Sequence, residues 1–114
     1  MGNTQNTPEK SGDFSKWRIV RDKMGKVFSD SKKVSLEMQN AYLRVALFEH
    51  ASEAALKTTE YTLLKELADI MEIIEALLEI NEIPQKKLLL MADVERNNLG
   101  GYKEGYVIPN TEKT

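Results

Sequence analysis

From Ser29 to Ile83 the chain contains neither glycine nor proline. A run that long has none of the residues that turn a β-hairpin or break a helix, so its natural solution is long helices. Its apolar residues recur at helical spacing. Two helices are predicted, one over residues 33–57 and one over 60–81, with Ser29, Asp30 and Ser31 as candidate N-cap residues and Thr58-Thr59 as the turn. Pro84 suits the first turn of a third helix ending near Asn97-Asn98, where Gly100-Gly101 stops it. Before the run, the mixed segment Phe14 to Met24 allows a short helix reaching Phe28. The expected fold class is all-α, a long antiparallel helical hairpin with shorter helices. Residues 1–13 and 109–114 read as polar tails flanking one domain over 14–108.

On a wheel of about 100° per residue, the second long helix carries an apolar arc. It runs through Leu63, Leu64, Leu67, Ile70, Met71, Ile73, Ile74, Leu77, Leu78 and Ile80. One neighbouring helix cannot cover an arc that wide. It is buried either by the chain's own tails or by a second subunit. A chain of 114 residues buries limited surface by itself, which favours a homodimer or homotetramer forming a helical bundle.

Charge and composition narrow the function classes. The formal charge of −2 argues against a nucleic-acid binder that works by broad phosphate neutralisation. There is no cysteine, so thiolate catalysis, disulfides and cysteine-based zinc sites are excluded. The apolar stretch from Leu63 to Ile83 is interrupted by Glu66, Asp69, Glu72, Glu75, Glu79 and Glu82, too often for a membrane span. Nor does the N-terminus have the basic and apolar regions of a signal peptide. With a mean hydropathy of −0.44, these features point to a soluble cytoplasmic protein with no membrane and no nucleic-acid partner.

The acids on the arc carry the chemical information. Glu72, Glu75 and Glu79 fall on the polar side and need no explanation beyond solvation. Glu66 falls near the centre of the arc, between Leu63, Ile70, Ile73 and Leu77, and Asp69 lies at its edge. A carboxylate in such a place must be protonated, paired or bound to a cation. Spaced i, i+3, the two acids can converge on one ion, and hard oxygen donors suit Mg²⁺, with Mn²⁺ as the alternative. Glu49 and Glu53 share a face of the first helix, with His50 beside them and Tyr42, Leu43, Ala46 and Ala54 around them. A turn at Thr58-Thr59 would bring Glu53 roughly level with Glu66. The competing arrangement has Glu49 and Glu53 on the surface and Glu66 paired with a lysine or arginine.

Glu49-His-Ala-Ser-Glu53 followed by Glu66-Leu-Ala-Asp69 resembles the EExxE … ExxD motif of the all-α nucleoside triphosphate pyrophosphohydrolases, the MazG-like group that includes phosphoribosyl-ATP pyrophosphohydrolase. The opening Lys16-Trp-Arg-Ile-Val-Arg-Asp-Lys-Met24 is similar to the Lys-Leu-Val-Arg-Asp-Lys-Ile start of one bacterial and viral subgroup. Glu66 to Leu77 resembles that subgroup's second helix. Glu95 to Tyr102 is like its closing Glu-Arg-Gly-Gly-Phe stretch, with an insertion. The resemblance implies a Mg²⁺-dependent enzyme that cleaves a nucleoside triphosphate to the monophosphate and pyrophosphate. Glu53, Glu66 and Asp69 match the family's metal ligands. Glu49, matching the first acid of the motif, joins Glu53 as a catalytic acid. Such chemistry needs cations for the phosphates, and Arg21 and Lys23, with Lys16 behind them, are the candidates; surface ion pairing is their alternative role.

His50 departs from the motif, which has a second glutamate there. An imidazole removes one negative charge and prefers softer ions than Mg²⁺. Two functions therefore stand side by side. One is a nucleotide-pool pyrophosphohydrolase, and the other a catalytically weakened nucleotide-binding or protein-interaction regulator on the same scaffold.

Overall fold

The computed structural model describes Phe14 and residues 16–111; the expected 1–13 tail and the last three residues, 112–114, lie outside the described residues. All regular structure in that span is helical: α1 (Asp22–Val27), α2 (Leu36–Ala54), α3 (Glu60–Ile80) and α4 (Gln85–Leu99). The chain divides into two compact units, residues 1–83 and 84–114.

In the first unit α2 and α3 pack against each other. Two cross-helix hydrogen bonds fix their direction: Asn81 Nδ2 donates to Asn40 Oδ1 at 3.2 Å, and His50 Nδ1 lies 2.8 Å from Glu66 Oε2. Later residues of α3 meet earlier residues of α2, so the helices run in opposite directions. Each starts on a side-chain cap. The Ser35 hydroxyl accepts from Met38 N–H and the Thr59 hydroxyl from Thr62 N–H, both at 3.2 Å. Ser35, rather than the Ser29–Ser31 cluster, is thus the N-cap of α2, which begins at Leu36, three residues after the predicted Lys33.

Between the helices Thr59 is extended, as an N-cap residue is (φ −111°, ψ 154°). The last turn of α2 tightens into i→i+3 bonds, Leu56 N–H to Glu53 O at 3.0 Å and Lys57 N–H to Ala54 O at 3.3 Å. The regular helix stops at Ala54 instead of the predicted Lys57.

Among the described residues, Tyr42, Leu43 and Ile73 are the buried hydrophobic ones, at 4%, 4% and 9% exposure. Phe14 meets the Tyr42 ring edge-on, with centroids 4.9 Å apart, which ties the segment before α1 to α2. The α3 arc is covered unevenly. Ile70, Ile74 and Leu77 are half-buried, whereas Leu64, Leu67 and Met71 stay exposed.

At its C-terminus α3 closes in a Schellman motif. Ile83 N–H reaches Leu78 O at 2.8 Å and Glu82 N–H reaches Glu79 O at 3.1 Å. The motif requires a left-handed residue, and here it is Glu82 (φ 56°) rather than glycine. In the second unit, Pro84 caps α4 with extended backbone and Gly100 (φ 83°) ends it, its N–H bonded to Arg96 O at 2.8 Å. The pattern is that of a helix opened by proline and closed by glycine.

A side chain in the left-handed region costs about 1 kcal/mol or more, which glycine avoids. Glu82→Gly is therefore expected to raise the unfolding free energy by about 1 kcal/mol. Leu43→Ala should lower it by about 2–5 kcal/mol. Urea denaturation followed by circular dichroism measures both.

Candidate metal centre

Glu66 and Asp69 lie on the α3 face turned toward α2, with side chains 16% and 24% exposed. Half-buried acids need partners, and both have them. Glu66 Oε2 is 2.8 Å from His50 Nδ1, and Asp69 Oδ2 is 3.9 Å from the same nitrogen. One ligand atom from each of His50, Glu66 and Asp69 lies within 4.8 Å of the other two. Opposite ligands of a magnesium-sized ion stand about 4.2 Å apart, so closing on a cation takes a shift of less than about 1 Å.

The other Asp69 oxygen is engaged from the opposite side. Arg21, the N-cap residue of α1, donates to Oδ1 through Nη2 at 2.5 Å and through Nε at 3.2 Å. That hydrogen bond, together with the charges of Asp69 and Glu72, raises the guanidinium above its ordinary pKa against the opposing effect of burial. The Arg21 side chain is 54% exposed. An exposed ion pair contributes about 0.2–1 kcal/mol, so this one is cheap to break.

The remaining predicted residues are placed differently. Glu53 is exposed and paired at 3.3 Å with the Nζ of Lys57, just past the end of α2, and Glu49 is exposed. Neither belongs to the group with Glu66 and Asp69; His50 does. His50 precedes Glu53 by three residues, nearly one turn of α2; its ring reaches Glu66 across the seam, while Glu53 turns to Lys57.

Arg21 also lines a pocket of about 610 Å³ in the first unit, together with Arg18, Lys26, Lys32 and Lys33. Lys16 and Lys23 are exposed and lie outside that lining. The pocket was not read from the sequence, but a signal for it exists. Lys16, Arg18, Arg21, Lys23, Lys26, Lys32 and Lys33 make seven of the chain's 16 basic residues within one short segment.

No helix among the described residues is long and apolar enough to cross a membrane. Comparison of the chain with family models, curated proteins and solved structures gives no match.

Gln in place of Glu66 keeps an oxygen that accepts from His50 while removing the charge. Glu66→Gln should therefore change metal-free stability by no more than about 1.5 kcal/mol and abolish any stabilisation by Mn²⁺. Calorimetric unfolding with and without the ion tests this; undiminished Mn²⁺ stabilisation in the variant would remove Glu66 from the ligand set.

Proposed function

We propose that the chain is a metal-dependent nucleoside triphosphate pyrophosphohydrolase acting in the cytoplasm on an NTP or dNTP. The observation that carries this reading is the convergence of His50, Glu66 and Asp69 at the α2–α3 seam, with Arg21 on Asp69. Their donor set, one imidazole and two carboxylates, fits a divalent cation of the Mg²⁺ or Mn²⁺ class. When bound, such an ion would neutralise phosphate charge and activate water. In the reaction, water oxygen bonds to the α-phosphorus and the bond to the α–β bridging oxygen breaks. Pyrophosphate leaves with the electron pair, and the water's proton passes to a carboxylate. Glu53 and Glu49, at the α2 end of the seam, are the acids proposed to take that proton. For Glu53 this requires release from Lys57. Arg21 would hold phosphate oxygens, with Lys23 and Lys16 outside it.

His50 favours a second reading, because its bond to Glu66 gives the metal-free cluster a partner that a glutamate would not supply. On that reading the site binds nucleotide with little turnover, as a regulator would. A screen of nucleoside triphosphates with Mg²⁺ and Mn²⁺, read by pyrophosphate release, separates the two. Release with one ion or the other supports the enzyme, and tight nucleotide binding without release supports the regulator.

We also propose that α3 mediates self-association into a helical bundle. Leu64, Leu67, Met71, Ile74 and Leu78 follow alternating spacings of three and four, the spacing of a coiled-coil seam. The first three are exposed at 57%, 43% and 65%. Light scattering at micromolar concentration should give at least twice 13.0 kDa, and Leu67→Glu should return the mass to that of one chain. A wild-type monomer would refute the assembly.

A further inference from the structure

The pocket that Arg21 lines is cationic in a chain of net negative charge. Arg18, Arg21, Lys26, Lys32 and Lys33 line it against a single acid, Asp22. Its volume of about 610 Å³ falls in the usual range for small-molecule sites, about 300–1,000 Å³. Trp17 forms part of the wall. Like charges gathered around one cavity repel each other, and a multivalent anion relieves that repulsion. Several cations in so small a volume match a pyrophosphate or triphosphate group better than a carboxylate or a single phosphate.

Arg21, in the pocket lining and bonded to Asp69, joins this pocket to the metal cluster. The bonds of Asp69 show how. Its Oδ1 accepts both Arg21 bonds, and its Oδ2 faces His50. Arg21 thus holds one oxygen of a metal-site carboxylate while its guanidinium borders the anion pocket. A cation binding at Asp69 competes with Arg21, and so does a phosphate oxygen offering Arg21 a bidentate partner.

We infer that the pocket binds a polyphosphate anion and that Arg21 couples it to the metal cluster, giving up Asp69 when either ligand arrives. The inference rests on the site being a nucleotide site, and it adds where the polyphosphate sits and why metal and anion assist each other. By linkage the assistance is reciprocal: each ligand tightens the other by the same factor. The ordering of events follows from the bonds themselves. Without ligands, Arg21 neutralises Asp69; with both, the metal neutralises Asp69 and the phosphate neutralises Arg21.

The chain's only tryptophan lies in the pocket wall, so its fluorescence reports occupancy. Pyrophosphate titrated into the metal-free full chain should give a saturable change. A Lys32→Ala, Lys33→Ala double variant should weaken it. Asp69→Asn frees Arg21 and should tighten pyrophosphate binding roughly two- to five-fold, the range an exposed ion pair allows. Arg21→Gln should weaken binding and cancel the gain from Asp69→Asn when the two are combined. In the reciprocal arm, Arg21→Gln should bind Mn²⁺ more tightly than wild type in calorimetry without any anion. That arm stands alone should Asp69→Asn not fold. No saturable pyrophosphate signal, an Asp69→Asn variant that binds no more tightly, or an Arg21→Gln variant with equal or weaker Mn²⁺ affinity overturns the inference. None of these readouts involves turnover. A chain that hydrolyses no triphosphate yet shows the coupling loses the hydrolase reading and keeps this one; an active hydrolase without the coupling does the reverse.

Discussion

A carboxylate set into the seam between two helices is the constraint that organises the first unit. Glu66 occupies a position that, by its place on the helix, belongs to an apolar side chain, and it is mostly withdrawn from water. An unpaired charge there would cost several times what a leucine would contribute. The seam therefore has to supply polar partners at that level, and it does so from both sides, with His50 from α2 and, through Asp69, Arg21 from the segment before it. Toward the Asn40–Asn81 end of the seam the contacts return to ordinary packing at Tyr42, Leu43 and Ile73.

Supplying those partners shapes the rest of the unit. The α1 N-cap residue is drawn to α3 by its guanidinium, and Phe14 is held against Tyr42. The basic segment is thus folded over one end of the carboxylate cluster, which places positive and negative chemistry side by side. Charges of opposite sign at one site, each only partly neutralised by the other, suit ligands that are themselves mixed, such as a cation carrying a polyphosphate.

The helices were legible because their signals are local. The absence of glycine and proline from 29 to 83, the hydroxyl residues at Thr58-Thr59, Pro84 and Gly100 all act within a few residues of where they stand. The anomalous position of Glu66 and Asp69 was legible for the same reason, since periodicity needs only the helix that carries it. The partner across the seam was not. It depended on which α2 side chain crosses the seam: His50 reaches Glu66, while Glu53, three residues further on, pairs with Lys57.

The sequence by itself therefore determined an all-helical chain and two acids on a buried face, because capping, helix propensity and the 3.6-residue period are near-neighbour effects. Only the tertiary structure decided which residues answer those acids. Arg21 and Asp69 are 48 positions apart and His50 and Glu66 are 16 apart. Such pairings are set by loop length, register and the direction each side chain takes across the seam. One residue of slippage turns a helix by about 100°, enough to carry a side chain from the seam to solvent, and no pattern within a single helix records that choice.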